Sequence, residues 1–113
     1  MNKVEAIIRP EKLDAVKDAL AETGFVGLNI VHVIGRGAQK GVVHAGRGGD
    51  TQIVDMLPKV KMEMVVRDAD TETVLQIIAE VARTGSLGDG KIFVMPVADA
   101  IRVRTGERGE VAV

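Results

Sequence analysis

The chain has no cysteine, no tyrosine and no tryptophan among its 113 residues. The missing thiols exclude a disulfide framework and any thiolate-held metal. His32 and His44 are the only imidazoles, too few for a zinc site. Aromatic side chains amount to Phe25 and Phe93, so a sheet that stacks nucleobases would have nothing to stack with. Lys and Arg number 15 against 16 Asp and Glu, a balance that gives no general attraction to nucleic acid. No apolar run nears the ~20 residues of a membrane span. The start, Met1-Asn2-Lys3-Val4-Glu5, lacks the apolar stretch of a signal peptide. The expectation is a cytoplasmic protein, with no nucleic-acid partner and no direct membrane insertion.

What is present is enough apolar residue, 46%, to build a core. The length fits one domain, residues 1–113. Residues 3–9 read as a strand ending at Pro10. A helix is expected over 11–23, with Leu13, Val16 and Leu20 on one face and Gly24 as its C-cap. Residues 25–34 alternate, putting Val26, Leu28, Ile30, His32 and Ile34 on one face of a strand. Beyond Pro58 the alternation returns through Val60, Met62, Met64 and Val66. A second helix over 70–83 (Val74, Ile77, Ile78, Val81) leads to a strand over 91–95. Residues 100–104 are a short strand or extended tail, with Ile101 and Val103 opposite Arg102 and Arg104.

This order predicts an α+β fold, a ferredoxin-like βαββαβ sandwich with two helices on one face of an antiparallel sheet. Its other face stays bare, yet the strands carry apolar residues on both sides, Val31 and Val33 opposite Ile30 and Ile34. The bare face is therefore expected to pack against other copies of the chain.

Three clusters could carry chemistry. Gly35-Arg36-Gly37-Ala38-Gln39-Lys40-Gly41 opens a long segment, 35–57, in which no period dominates; such loops are most often functional or mobile. Its glycines let the backbone approach a ligand, although a solvated turn explains them equally. Gly85-Ser86-Leu87-Gly88-Asp89-Gly90-Lys91-Ile92 almost completes a phosphate-binding P-loop. Ile92 lacks the hydroxyl that a P-loop offers Mg²⁺, and the flanks are reversed, helix before and strand after. A helix C-cap accounts for Gly85 but not for Gly88, Gly90 and Lys91. Arg102 and Arg104 are either a solvated edge or two fixed cations for phosphate. His32 reads as a core or interface residue and His44 as solvated. No Ser/His/Asp set and no carboxylate pair suggests itself, so the chemistry is that of binding and not of an enzyme.

Together and in this order, these stretches resemble the PII nitrogen-regulatory signalling proteins. The resemblance covers nearly the whole chain: Ala6-Ile7-Ile8-Arg9-Pro10 with Lys12-Leu13, Gly35-Arg36-Gly37 with Gln39-Lys40-Gly41, and Leu57-Pro58-Lys59-Val60-Lys61. It continues through Thr84-Gly85, Gly88-Asp89-Gly90-Lys91-Ile92-Phe93-Val94 and Arg102-Val103-Arg104-Thr105-Gly106-Glu107.

The resemblance implies a homotrimer with ATP/ADP sites in the clefts between subunits. It implies a target-docking T-loop at about 37–56, a B-loop at about 82–90 and a C-terminal loop at about 97–113. By position, Gly35, Gly37, Gln39, Gly88, Asp89, Gly90 and Lys91 would line the nucleotide. Arg102 and Arg104 would reach its phosphates from the adjoining chain, with Ile7, Glu63 and Val65 near adenine and ribose. Mg²⁺ would bridge the phosphates to 2-oxoglutarate, with Gln39 as its protein ligand. Lys59 would meet the 2-oxoglutarate carboxylate, and Lys40, Gly41 and Gly88 would complete that subsite. Implied targets are an ammonium transporter, nitrogenase or glutamine synthetase.

Departures from the family pattern are Ala38 where Arg is frequent, Asn29 where Thr is frequent, one extra residue across 47–55, and Gly49 where some relatives carry Ser. Without Tyr, covalent tagging of that residue type is excluded. A competing expectation is an acylphosphatase-like enzyme on the same fold, for which Gln39-Lys40-Gly41-Val42 is a faint loop match placed after the wrong strand.

Overall fold

Val60, Met62, Met64 and Val66 are all buried, while the residues between them face the other way. That alternation belongs to the longest strand of the computed structural model, which describes residues 1–36, 43–45, 51–53 and 56–113. The elements run β1 (Asn2–Ile8), a 3-10 turn (Pro10–Lys12), α1 (Leu13–Glu22), β2 (Asn29–Gly35), β3 (Val43–Ala45), β4 (Thr51–Ile53), β5 (Leu57–Val66), α2 (Asp68–Ala82) and β6 (Gly90–Pro96). A last 3-10 turn, Gly109–Ala112, closes the chain.

The main sheet has the order β2-β5-β1-β6, with every described pairing antiparallel. β1 and β2 flank β5, and β5 and β6 flank β1, so each βα unit is split by a strand of the other. This is the α+β, ferredoxin-like arrangement expected from the element order. The core lies between sheet and helices. Val4, Ala6 and Ile8 of β1 join Met62, Met64 and Val66 of β5 against Val16 and Leu20 of α1 and Val74 and Ile78 of α2. At roughly 1.5–3 kcal/mol for each large apolar side chain removed from water, this layer dominates the folding free energy.

Two boundaries differ from the alternation, and both have local causes. β2 begins at Asn29, not at 25, because the end of α1 claims the preceding backbone. Gly24, with φ +95°, donates to the Ala21 carbonyl at 3.0 Å, and Phe25 donates to Leu20 at 2.9 Å. That is a Schellman cap, and it commits the Phe25 N–H to the helix. Val26 is left 75% exposed. At the far end, residues 100–104 form no strand. Ile101 bridges Arg108 alone, and the chain turns at Val103–Thr105, which breaks the expected two-sided alternation. The short strands β3 and β4 pair as a hairpin, Val43 opposite Ile53, inside the segment where no period was visible.

The bare face carries Lys3, Glu5 and Ile7 of β1, Lys59, Lys61, Glu63 and Val65 of β5, and Lys91 and Phe93 of β6. Glu5 and Glu63 stand directly opposite each other across β1 and β5, an arrangement that repels. Lys61 relieves it, with its Nζ 3.3 Å from a carboxylate oxygen of each, and Lys3 takes the other oxygen of Glu63 at 3.3 Å. His32 points to the helix side of β2 but is exposed, so it is not a core residue of the single chain. Among the described residues, no helix is long and apolar enough to cross a membrane.

Candidate functional site

The turn between α2 and β6 is organised by one carboxylate. Asp89 accepts hydrogen bonds from the Thr84 N–H at 2.8 Å, the Gly85 N–H at 2.9 Å and the Thr84 hydroxyl. Arg9, at the end of β1, adds its Nε at 3.0 Å. These donors, the Thr84 hydroxyl first, hold the Asp89 carboxyl far below the ordinary aspartate range. The side chain therefore faces into the turn as its brace. Gly85, Gly88 and Gly90 all take positive φ, at 86°, 97° and 100°, which L side chains rarely adopt. The glycines that exceed a helix cap are thus required by the path of this turn.

Lys59 reaches the same turn from β5, where its Nζ donates to the Gly88 carbonyl. It is only 8% exposed. Burial, reinforced by the nearby Arg9 guanidinium, lowers its pKa below the ordinary lysine value. An anion placed beside it would relieve both effects. Gly35 closes the group, since a methyl on its α-carbon would lie 3.4 Å from the Lys59 Cγ. Ile7 sits opposite Lys61 on one side and Lys91 on the other. So Ile7, Gly35, Lys59, Gly88, Asp89, Gly90 and Lys91 gather at one end of the sheet.

Glu63, Val65, Arg102 and Arg104 do not join them. Val65 lies opposite Lys3, four residues along β1 from Ile7, or roughly 13 Å at strand rise. Glu63 and Val65 line an open cleft of about 340 Å³ with Lys3, Gly27, Leu28 and Asn29. The Glu63 carboxyl is held below its ordinary pKa by the hydrogen bond from Lys3, then by that from Lys61. The tail leaves the sheet at this same end, where the Val97 N–H donates to the Met1 carbonyl at 3.1 Å.

The tail is folded on itself. Arg108 pairs with Asp99, and Arg102 Nη1 lies 2.8 Å from a Glu107 carboxylate oxygen while Nη2 donates to the Val111 carbonyl at 3.0 Å. Arg102 and Arg104 are consequently not a matched pair along one strand face. Arg102 is tied down by Glu107, and Arg104 lies in the turn.

Gly37, Gln39, Lys40 and Gly41, and with them the expected magnesium ligand and most of the segment 37–56, lie outside the described residues. Near the turn, the charged side chains described are cationic apart from Asp89, whose oxygens are engaged, and Glu11, which lies near enough to Lys59 to favour its charge. No group of three His, Asp or Glu side chains converges among the described residues. Such a donor set suits phosphate or carboxylate, and suits a divalent cation only if it arrives with the oxygens of its own ligand.

The sequence motifs include Arg9, Thr84 and Asn29 without giving them a place at the site, and they leave out the cleft residues Lys3 and Leu28. Arg9 had no signal, because its partners are about 80 positions away. Leu28, and the placing of Asn29 beside Glu63, could have been found only by knowing where β2 starts.

The family model for "Nitrogen regulatory protein P-II" matches residues 1–107. A Rhodobacter capsulatus nitrogen regulatory protein P-II is 53% identical over 113 residues, all of both chains. A Rhodospirillum rubrum protein of the same name is 51% identical over 109 residues, 96% of each chain. Nitrogen regulatory protein P-II 2 of Methanothermobacter thermautotrophicus is 50% identical over the whole chain and 97% of its own length. Proteins of this kind are regulatory, which sets aside the acylphosphatase-like alternative.

Proposed function

The chain belongs to the P-II family of nitrogen regulatory proteins, and on that premise we propose that it is a signalling subunit that reads adenine nucleotide and 2-oxoglutarate. Its role in nitrogen regulation is exerted by binding, without turnover of its ligands. ATP or ADP would lie between two copies. One copy would supply Ile7, Gly35, Gly37, Gln39 and the turn Gly88, Asp89, Gly90 and Lys91. The other would supply Glu63, Val65, Arg102 and Arg104.

The observation that supports this most is the separation of those two groups. In one chain Val65 and the start of the tail lie at the other end of the sheet from Ile7 and the turn, and the two groups suit different parts of a nucleotide. The turn offers cations and backbone N–H groups to phosphates. The cleft beside Glu63 and Val65 offers an apolar wall and a carboxylate suited to base and sugar. A second copy would bring the two together, as in a homotrimer closed by rotation.

Gln39 would hold Mg²⁺ with the phosphates, and the ion would present a chelation site to 2-oxoglutarate. Lys59 would then balance the effector's far carboxylate, near Lys40, Gly41 and Gly88. Because Gln39 stands at the base of the segment 37–56, occupancy would bias that segment's conformation and with it the docking of a target protein. An ammonium transporter, nitrogenase and glutamine synthetase are the candidate targets, reached in the cytoplasm. Calorimetry tests the scheme. ATP should bind alone, and 2-oxoglutarate should bind only once MgATP is present; equal binding of 2-oxoglutarate without MgATP would overturn the order.

A further inference from the structure

Arg9 has no part in the scheme so far, yet it touches the phosphate-side turn at two points. Its Nη2 donates to the Leu87 carbonyl at 2.7 Å and its Nε to Asp89 at 3.0 Å. Lys59 takes the very next carbonyl, that of Gly88. Two successive peptide units of the turn are therefore held by their oxygens, one by a cation from β1 and one by a cation from β5.

A trans peptide points its N–H opposite to its C=O. With the Leu87 oxygen turned to Arg9 and the Gly88 oxygen turned to Lys59, the N–H groups of Gly88 and Asp89 face away from both cations. The Gly88 N–H donates to no acceptor among the described residues, and the Asp89 N–H only loosely closes the turn at Leu87–Gly88. Consecutive N–H groups exposed on a glycine-rich turn form a concavity for an anion.

The two clamps are unequal. Arg9 grips two acceptors with a planar fork of fixed geometry, and one of them, Asp89, is itself the brace of Thr84 and Gly85. Lys59 grips one carbonyl through one rotatable ammonium. The backbone of Arg9 is fixed as well, extended at φ −65° and ψ 136°, as the following Pro10 demands.

We propose that Arg9 is a positioning residue for nucleotide phosphate: through the Leu87 carbonyl and Asp89 it sets the direction of the Gly88 and Asp89 N–H groups. The assignment rests on the nucleotide-sensor reading and specifies how its phosphate side is held. Lys59 can leave Gly88 for a carboxylate ligand because Arg9 keeps the turn in place when it does.

The test uses the full chain with Arg9→Lys and Arg9→Gln. Arg9→Lys keeps the charge and stem but not the fork, and it still reports if Arg9→Gln does not fold. In ligand-free protein, amide hydrogen exchange over residues 84–90 should speed up in Arg9→Lys while β5 stays protected. ATP affinity should fall about tenfold or more, the scale of a lost charge-assisted hydrogen bond. Affinity for adenosine, which lacks phosphate, should stay within about twofold, since no phosphate contact is at stake. Unchanged exchange over 84–90, or an equal fall for ATP and adenosine, overturns the positioning role alone. A natural chain that bound no ATP would overturn the sensor reading and this assignment with it.

Discussion

Gly90 lies so close to β1 that a methyl group on its α-carbon would stand 1.7 Å from the carbonyl oxygen of Ile7. The obstacle is the backbone of β1, an inner strand of the sheet, so no side chain can rotate out of the way. Its φ of 100° adds the strain of a left-handed residue. Gly90→Ala should therefore cost about 3 kcal/mol or more, in the range of severe single-site effects. Gly85→Ala, with φ 86° but nothing within 4 Å, should cost only about 1–2 kcal/mol. Urea unfolding of the two variants checks this; equal midpoints would contradict the register of β1 and β6.

Arg102 is held by Glu107 before any phosphate arrives. The pair is half-exposed, with side chains 39% and 45% accessible, so it is worth about 0–1 kcal/mol. Phosphate must compete with that carboxylate. Glu107→Gln should tighten ATP binding by up to about fivefold, the equivalent of that energy. Weaker binding in Glu107→Gln would mean instead that Glu107 orients Arg102 for its ligand.

Lys59 serves the Gly88 carbonyl in the ligand-free chain. Lys59→Gln can still donate to that oxygen but carries no charge. MgATP affinity should stay within about threefold, whereas 2-oxoglutarate affinity should fall about tenfold or more, the cost of an unpaired carboxylate. Calorimetry with 2-oxoglutarate in saturating MgATP measures it. Retained affinity would remove Lys59 from the effector subsite.

The Asp89 carboxyl titrates far below the ordinary value near 3.8, because the Thr84 hydroxyl, the N–H groups of Thr84 and Gly85 and the Arg9 guanidinium all stabilise its charge. A depressed folded-state pKa contributes stability that is complete above the unfolded value and is lost as pH falls through the folded one. The amides of Thr84 and Gly85 should thus stay protected from exchange at pH 4 and begin to open only well below it. Asp89→Asn should abolish that dependence. Opening at pH 4 to 5 in the natural chain would show that the brace is weaker than its geometry implies.

Much of the fold was legible because burial imposes a period. Met62, Met64 and Val66 alternate since one face of β5 meets both helices, and Val74 and Ile78 sit one turn apart for the same reason. The ends were less legible, since caps and turns answer to single hydrogen bonds, as Phe25 does in leaving β2. Of the site, the glycines and Lys91 could be read from their spacing. The brace could not, because nothing in a linear pattern links Arg9 to Asp89. Nor does a pattern reveal that Ile7 and Val65, both on the bare face, lie too far apart to touch one base.

That last separation has a genetic consequence. Were a nucleotide shared between copies as proposed, each chain would lend its turn to one site and its tail to another. A copy broken at the turn still brings a sound tail to its neighbour, and a copy broken at the tail still brings a sound turn. Two defective alleles should then complement each other within mixed assemblies when the lesions lie at opposite ends, and should fail to do so when both lie at the same end.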